Sequence, residues 1–155
     1  MANQENPIRI LLVDDQTIVR AGISRLVGES STLKIVGEAK NGQEALEKVK
    51  AHKPDVVLMD LEMPDMDGVA ATRSIKATFP DIKVIILSGH TTGQKVLDAI
   101  RAGAKGYIPK DSDLTELGRA ILNAMQGQTY LSPKITNQFL NFVRSIEPVP
   151  RQQQV

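Results

Sequence analysis

Five side chains suited to metal or phosphorus chemistry each stand at the end of a short apolar run. Asp14 and Asp15 follow the run 8–13, Asp60 closes 55–60, Ser88 closes 83–88, and Lys110 lies just past 105–108. Taken singly, an Asp after a strand is a turn residue or helix cap, a Ser is a loop hydroxyl and a Lys is solvated. Together they are harder to dismiss. Adjacent carboxylates repel unless a cation or proton intervenes, and two like charges about 4 Å apart cost roughly 4 kcal/mol at an effective dielectric of 20. A third carboxylate raises that cost. A hard divalent cation such as Mg²⁺ relieves it, because it takes carboxylate, carbonyl and water oxygens and is usually shared with phosphate. Beside such a cation a carboxylate can act as nucleophile toward phosphorus. The metal and an ammonium then neutralise the charge of the transferring group.

That chemistry requires a fold that gathers strand ends. The runs 8–13, 33–39, 55–60, 83–88 and 105–108 alternate with helical patterns at 17–29, 42–52, 67–78, 94–102 and 112–126. The first helical pattern places Ile18, Ile23, Leu26 and Val27 on one side. Continuous rather than alternating apolar strands belong to a sheet covered on both faces. Successive βα units predict right-handed crossovers in a parallel sheet. The reading is therefore α/β, a doubly wound five-stranded parallel sheet with five helices. In such sheets ligands bind outside the carboxyl ends of the strands, where the strand order reverses, and all five side chains lie at those ends.

Composition adds exclusions. The 155 residues are 41% hydrophobic and 24% charged with a net charge of +1, an ordinary globular balance too weakly basic to argue for nucleic-acid binding. With no cysteine and only His52 and His90, thiolate chemistry is excluded and a zinc site is disfavoured. The polar start lacks an apolar signal region and no run is long enough to span a bilayer, so a cytoplasmic location is expected.

The motifs Val13-Asp14-Asp15, Met59-Asp60 through Pro64 to Asp67-Gly68, Leu87-Ser88-Gly89 and Gly106-Tyr107 through Lys110-Asp111 resemble the receiver domain of two-component response regulators. The resemblance covers residues 8–127. It implies a flavodoxin-like strand order of 2-1-3-4-5 and a phosphoacceptor at Asp60. It also implies Mg²⁺ held by Asp15, Asp60 and the backbone carbonyl of Glu62, with Asp14 acting mostly through water. Ser88 and Lys110 would bind phosphoryl oxygens, and the small Gly89 would leave room for the group. Tyr107 resembles the family's switch aromatic, turning inward as Ser88 moves. His90 near the rim is a candidate for tuning phosphoryl lifetime. Two features depart from the pattern: Asp111 rather than proline follows Lys110, and Pro109 precedes it, tolerable on an edge strand.

Further motifs, Gly37 to Gly42, Met66 to Arg73, Ala102 to Tyr107 and Tyr130 to Pro133, resemble NarL/FixJ-type regulators, in which a LuxR-type helix-turn-helix follows the receiver. The expected organisation is a receiver at 1–128, an extension helix at 129–147 and a linker or disordered tail at 148–155, with the DNA-binding output domain absent from this chain. Ser132-Pro133 reads as the N-cap and first turn of that extension, whose apolar stripe is Ile135, Phe139, Phe142, Val143 and Ile146. The implied partners are a sensor histidine kinase, docking near 17–29, and a second copy on phosphorylation. DNA would be reached only through the absent domain, and no membrane contact is expected. The resemblance implies no enzyme beyond catalysis of its own phosphorylation and slow dephosphorylation. Two alternatives stand beside it: a stand-alone receiver or phosphorelay shuttle, and an aspartate-based phosphatase with Glu62 as second acid.

Overall fold

In the computed structural model, which describes residues 6–146, strands and helices alternate along the chain. The order is β1 (Ile8–Val13), α1 (Thr17–Gly28), β2 (Leu33–Ala39), α2 (Gly42–His52), β3 (Val56–Asp60), α3 (Gly68–Thr78), β4 (Lys83–Ser88), α4 (Gly93–Ala102), β5 (Gly106–Pro109) and α5 (Leu114–Met125). Then come β6 (Tyr130–Leu131) and α6 (Pro133–Ser145). The expected tail at 148–155, and residue 147, lie outside the described residues.

All strands pair in parallel, in the order β2-β1-β3-β4-β5-β6. The expected 2-1-3-4-5 core is present, with a sixth short strand added. Alternation along each strand divides the core into two layers. Leu11, Val13, Met59, Ile86 and Tyr107 pack with Val49, Ile75, Val96 and Ile135 from α2, α3, α4 and α6. Ile10, Leu12, Leu58, Ile85 and Ile108 pack on the other face with Ile23 and Val27 of α1 and Leu117 and Ile121 of α5. The sheet is thus covered on both sides, which is why its central strands are continuously apolar.

The structure corrects two local expectations. Ile18 does not join the buried side of α1: it is 82% exposed, whereas Val19 and Leu26 are the residues that pack beside Ile23 and Val27. β5 is not a free edge, because Gly106 and Tyr107 pair with Tyr130 and Leu131. Pro109 is tolerated for a narrower reason. The Lys110 N–H donates to the Ser88 carbonyl at 2.9 Å, so the proline nitrogen before it turns to the opposite side, beyond the end of β6. The segment at 130–145 packs against the sheet, with Ile135 2% exposed within the main core.

Side-chain caps fix where the helices start. Asn41, Asp67, Thr92, Asp113 and Ser132 each accept a hydrogen bond from a backbone N–H in the first turn of the following helix. Gly68 matters most for the site. A Cβ there would lie 2.3 Å from the Asp60 carbonyl oxygen, and its N–H donates to the Leu61 carbonyl at 2.7 Å. Only glycine lets α3 begin this close to the end of β3.

Candidate functional site

β1 and β3 are neighbours at the point where the strand order reverses, and their carboxyl ends hold Asp14, Asp15 and Asp60. One carboxylate oxygen from each of these three lies within 4.8 Å of the others. Asp14 and Asp60 are buried, at 1% and 2% exposure, while Asp15 is exposed. Lys110, arriving from the end of β5, places its Nζ 3.0 Å from Asp14 Oδ2 and 3.1 Å from Asp60 Oδ1. Asp14 Oδ1 accepts from the Gln16 N–H at 2.9 Å, and Asp60 Oδ1 accepts from the Glu62 N–H at 3.2 Å. Asp60 Oδ2 is buried and has no hydrogen-bond partner among the described residues.

The electrostatics follow from this geometry. Burial and then the nearby Asp14 charge push the Asp60 carboxyl up from 3.8 to about 6, against the opposing pull of Lys110 and the Glu62 N–H. For Lys110, burial disfavours the ammonium, but the hydrogen bond to Asp14 and the charge of Asp60 outweigh it and raise its pKa. One ammonium therefore serves two buried carboxylates, and negative charge remains in excess. A cation with oxygen preference fits that set: all three side-chain donors are carboxylates, and the orphaned Asp60 Oδ2 is a polar atom awaiting a partner.

Glu62 reaches the site through its backbone only. Its side chain is exposed and ion-paired with Lys95 of α4, a hydrogen bond that lowers its pKa. Ser88 is 5% exposed at the end of β4, and its hydroxyl donates to the His90 carbonyl at 2.9 Å. Gly89 lies beside Lys110, where an added Cβ would meet only Lys110 Cδ at an ordinary 3.7 Å. Packing alone does not demand glycine there. His90 is exposed on the same loop. Tyr107 is turned inward, 1% exposed, and burial raises the pKa of its hydroxyl.

Sequence reasoning missed Thr91. Its hydroxyl lies 2.8 Å from Ser88 Oγ and 3.2 Å from the Tyr107 hydroxyl, standing between the two residues singled out as a switch. Lys95 and Gln138 were missed as well. Gln138 of α6 donates from Nε2 to the Thr91 carbonyl at 3.3 Å. Among the described residues no helix is long and apolar enough to cross a membrane.

Comparison with known proteins agrees with this arrangement. The family model described as the response regulator receiver domain matches residues 10–122. The response regulator GacA of Pseudomonas viridiflava is 40% identical over 141 residues, covering 91% of this chain and 65% of that protein. The transcriptional regulatory protein DegU of Brevibacillus brevis is 35% identical over 142 residues, covering 92% and 60%. This chain therefore spans less than two thirds of the length of these curated relatives. A solved two-component response regulator of the LuxR family from Aurantimonas superposes with a TM-score of 0.83 at 36% identity, covering 88% of this chain and 97% of that one. The receiver domain of the putative response regulator NarL from Mycobacterium tuberculosis gives a TM-score of 0.75, also at 36% identity, covering 79% and 98%. The chain belongs to the response regulator receiver-domain family, in its NarL/FixJ branch, and is a receiver domain of a two-component response regulator.

Proposed function

We propose that this domain accepts a phosphoryl group from a histidine kinase on Asp60, with Mg²⁺, and thereby controls an output domain outside this chain. The observation that carries the reading is the divided state of the Asp60 carboxylate. Oδ1 is tied to Lys110 and the Glu62 N–H, while Oδ2 is buried and, among the described residues, unpartnered, in a carboxyl group that clusters with those of Asp14 and Asp15. Asp15, Asp60 and the Glu62 backbone carbonyl would hold the metal, with Asp14 acting mostly through water. Bound there, Mg²⁺ would offset charge on the phosphoryl oxygens. An Asp60 oxygen bonds to phosphorus as the donor's P–N bond breaks, and the leaving imidazole keeps the electron pair and gains a proton. On this reading Lys110 pairs with one phosphoryl oxygen, and Ser88, on leaving the His90 carbonyl, hydrogen-bonds another. His90 is the nearby candidate for tuning how long the group lasts.

Residues 1–128 form the receiver on this reading, 129–147 an extension, and 148–155 a linker to a LuxR-type DNA-binding domain. The kinase would dock near α1, where Ile18 lines an apolar hollow with Val19, Leu26, Lys110 and Asp111. Dimerisation on phosphorylation and a cytoplasmic setting belong to the same proposal. The phosphatase alternative is disfavoured by Glu62: an exposed carboxylate held ionised by Lys95 has no proton to give a leaving group. A stand-alone receiver acting through protein contacts shares the same site chemistry.

An acyl phosphate is cleaved by hydroxylamine to a hydroxamate. Treating the phosphorylated protein in this way and mapping the modified peptide should place the hydroxamate at Asp60. A hydroxylamine-stable phosphate, or a hydroxamate at another carboxylate, would overturn the assignment.

A further inference from the structure

Three hydroxyls, those of Ser88, Thr91 and Tyr107, stand in a row separated by 2.8 and 3.2 Å. Each has one proton to give. The Ser88 proton goes to the His90 carbonyl, so Ser88 Oγ is left to accept from Thr91. The Thr91 hydroxyl is also directed as donor at the Tyr107 oxygen, 3.2 Å away, so its one proton is shared between the two, the shorter contact to Ser88 taking the larger part. Thr91 is therefore the donor that both Ser88 and Tyr107 share, and Ser88 passes the row on to the His90 carbonyl. If the Ser88 side chain swings its hydroxyl toward Asp60, the last link breaks, and Oγ keeps its contact with Thr91 only if Thr91 moves as well.

Thr91 is not free to move alone. Gln138 of α6 holds its carbonyl. Two residues on, α4 begins at Gly93, where an added Cβ would lie 2.1 Å from Phe142 Cβ. The other end of the row is held by the same helix: the Ser132 N–H, at the N-cap of α6, meets the Tyr107 carbonyl at 3.3 Å. Ile135 shares the core cluster that contains Tyr107. Helix α6 thus grips the row at Thr91 and at Tyr107, and leaves Ser88 to the loop.

From this we infer that Thr91 is a positioning residue linking Ser88 to Tyr107, that α6 sets its place through Gln138, and that docking of α6 and modification of Asp60 bias each other. The inference rests on the reading of Asp60 as phosphoacceptor, and by linkage the bias runs both ways. It assigns the C-terminal helix a part in the switch itself, in addition to any role as a connector.

The test uses the full chain, with amide exchange measured before and after treatment with acetyl phosphate and Mg²⁺, and with intact mass recorded on the same samples. In wild type, phosphorylation should change exchange across 134–145 by about fivefold or more. Thr91→Val, which keeps the shape but removes the hydroxyl, should be phosphorylated yet lose most of that response, and Thr91→Ser should restore it. An α6 that exchanges identically with and without the phosphoryl group, or a Thr91→Val response equal to wild type, would overturn the inference. A second arm works without phosphorylation. Gln138→Leu should raise exchange at 89–93 and shift the Tyr107 ring resonances. If no mass is added, the phosphoacceptor reading fails by itself, and this arm decides the link: unchanged loop exchange and an unmoved Tyr107 ring would reject it.

Discussion

Lys110 holds only half of Asp60: its Nζ lies 3.1 Å from Oδ1, and the other carboxylate oxygen, Oδ2, is buried without a hydrogen-bond partner among the described residues. One oxygen is neutralised and oriented while the other is left to react or to bind a cation. The same ammonium lies 3.0 Å from Asp14 Oδ2, so a single lysine makes it possible for two buried carboxylates to share one rim.

Removing that lysine should therefore have two consequences. Lys110→Met leaves Asp14 and Asp60 buried without their counter-charge and should lower metal-free stability at pH 8 by about 1–3 kcal/mol, discounted from the cost of breaking a fully buried pair because Lys110 is partly exposed. It should also slow phosphoryl incorporation by about 100-fold, the scale on which a positioned charge acts. Urea unfolding and a timed acetyl phosphate reaction measure the two.

The pH dependence has a definite sign. Asp60 is raised from 3.8 to about 6 in the fold, so folding favours its protonated form. The stability linked to it is intact below its unfolded value and is lost as pH rises through about 6. Asp60→Asn should match wild type near pH 4 and gain on it up to pH 7, by at most about 3 kcal/mol for a displacement of that size. Adding Mg²⁺ should narrow the gap. Urea midpoints across pH 4–8, with and without the metal, check this; a gap that shrinks as pH rises would contradict it.

Gly68 offers a steric test. A Cβ placed 2.3 Å from the Asp60 carbonyl oxygen meets backbone, which has no rotamer in which to retreat. Gly68→Ala should destabilise the domain by about 1–3 kcal/mol and reduce phosphorylation, because relief requires the end of β3 to move. Gly118→Ala, at a helical position where an added Cβ meets nothing within 4 Å, should leave both properties near wild type or slightly raise stability.

The exposed Ile18 separates recognition from chemistry. Ile18→Asp should slow transfer from a cognate histidine kinase about tenfold or more, since it puts a charge into an apolar contact. Transfer from acetyl phosphate, which needs no docking surface, should be unchanged. Equal loss with both donors would mean that Ile18 acts on the site and not on the kinase.

The site was legible where polar residues interrupt apolar runs. Asp14, Asp15, Asp60, Ser88 and Lys110 stand at strand ends, and a parallel sheet gathers strand ends on one rim. Ile18 misled because helical periodicity describes a stripe but not where the sheet beneath it stops. β6 was illegible because its two residues have no period, and it exists only by pairing with β5. Thr91 stands beside Thr92, which caps α4, and nothing in its type or spacing sets it apart. What distinguishes Thr91 is its distance to Tyr107, across sixteen residues of chain. Gln138 was hidden for the same reason, its partner being 47 residues away.

The most direct test of the central claim is intact-mass spectrometry after incubation with acetyl phosphate, with and without Mg²⁺, on the wild-type chain and on Asp60→Asn. The account predicts one added phosphoryl group that requires Mg²⁺ and is missing from Asp60→Asn. Addition that ignores the metal or persists in Asp60→Asn, or no addition from acetyl phosphate or kinase donors, would contradict it.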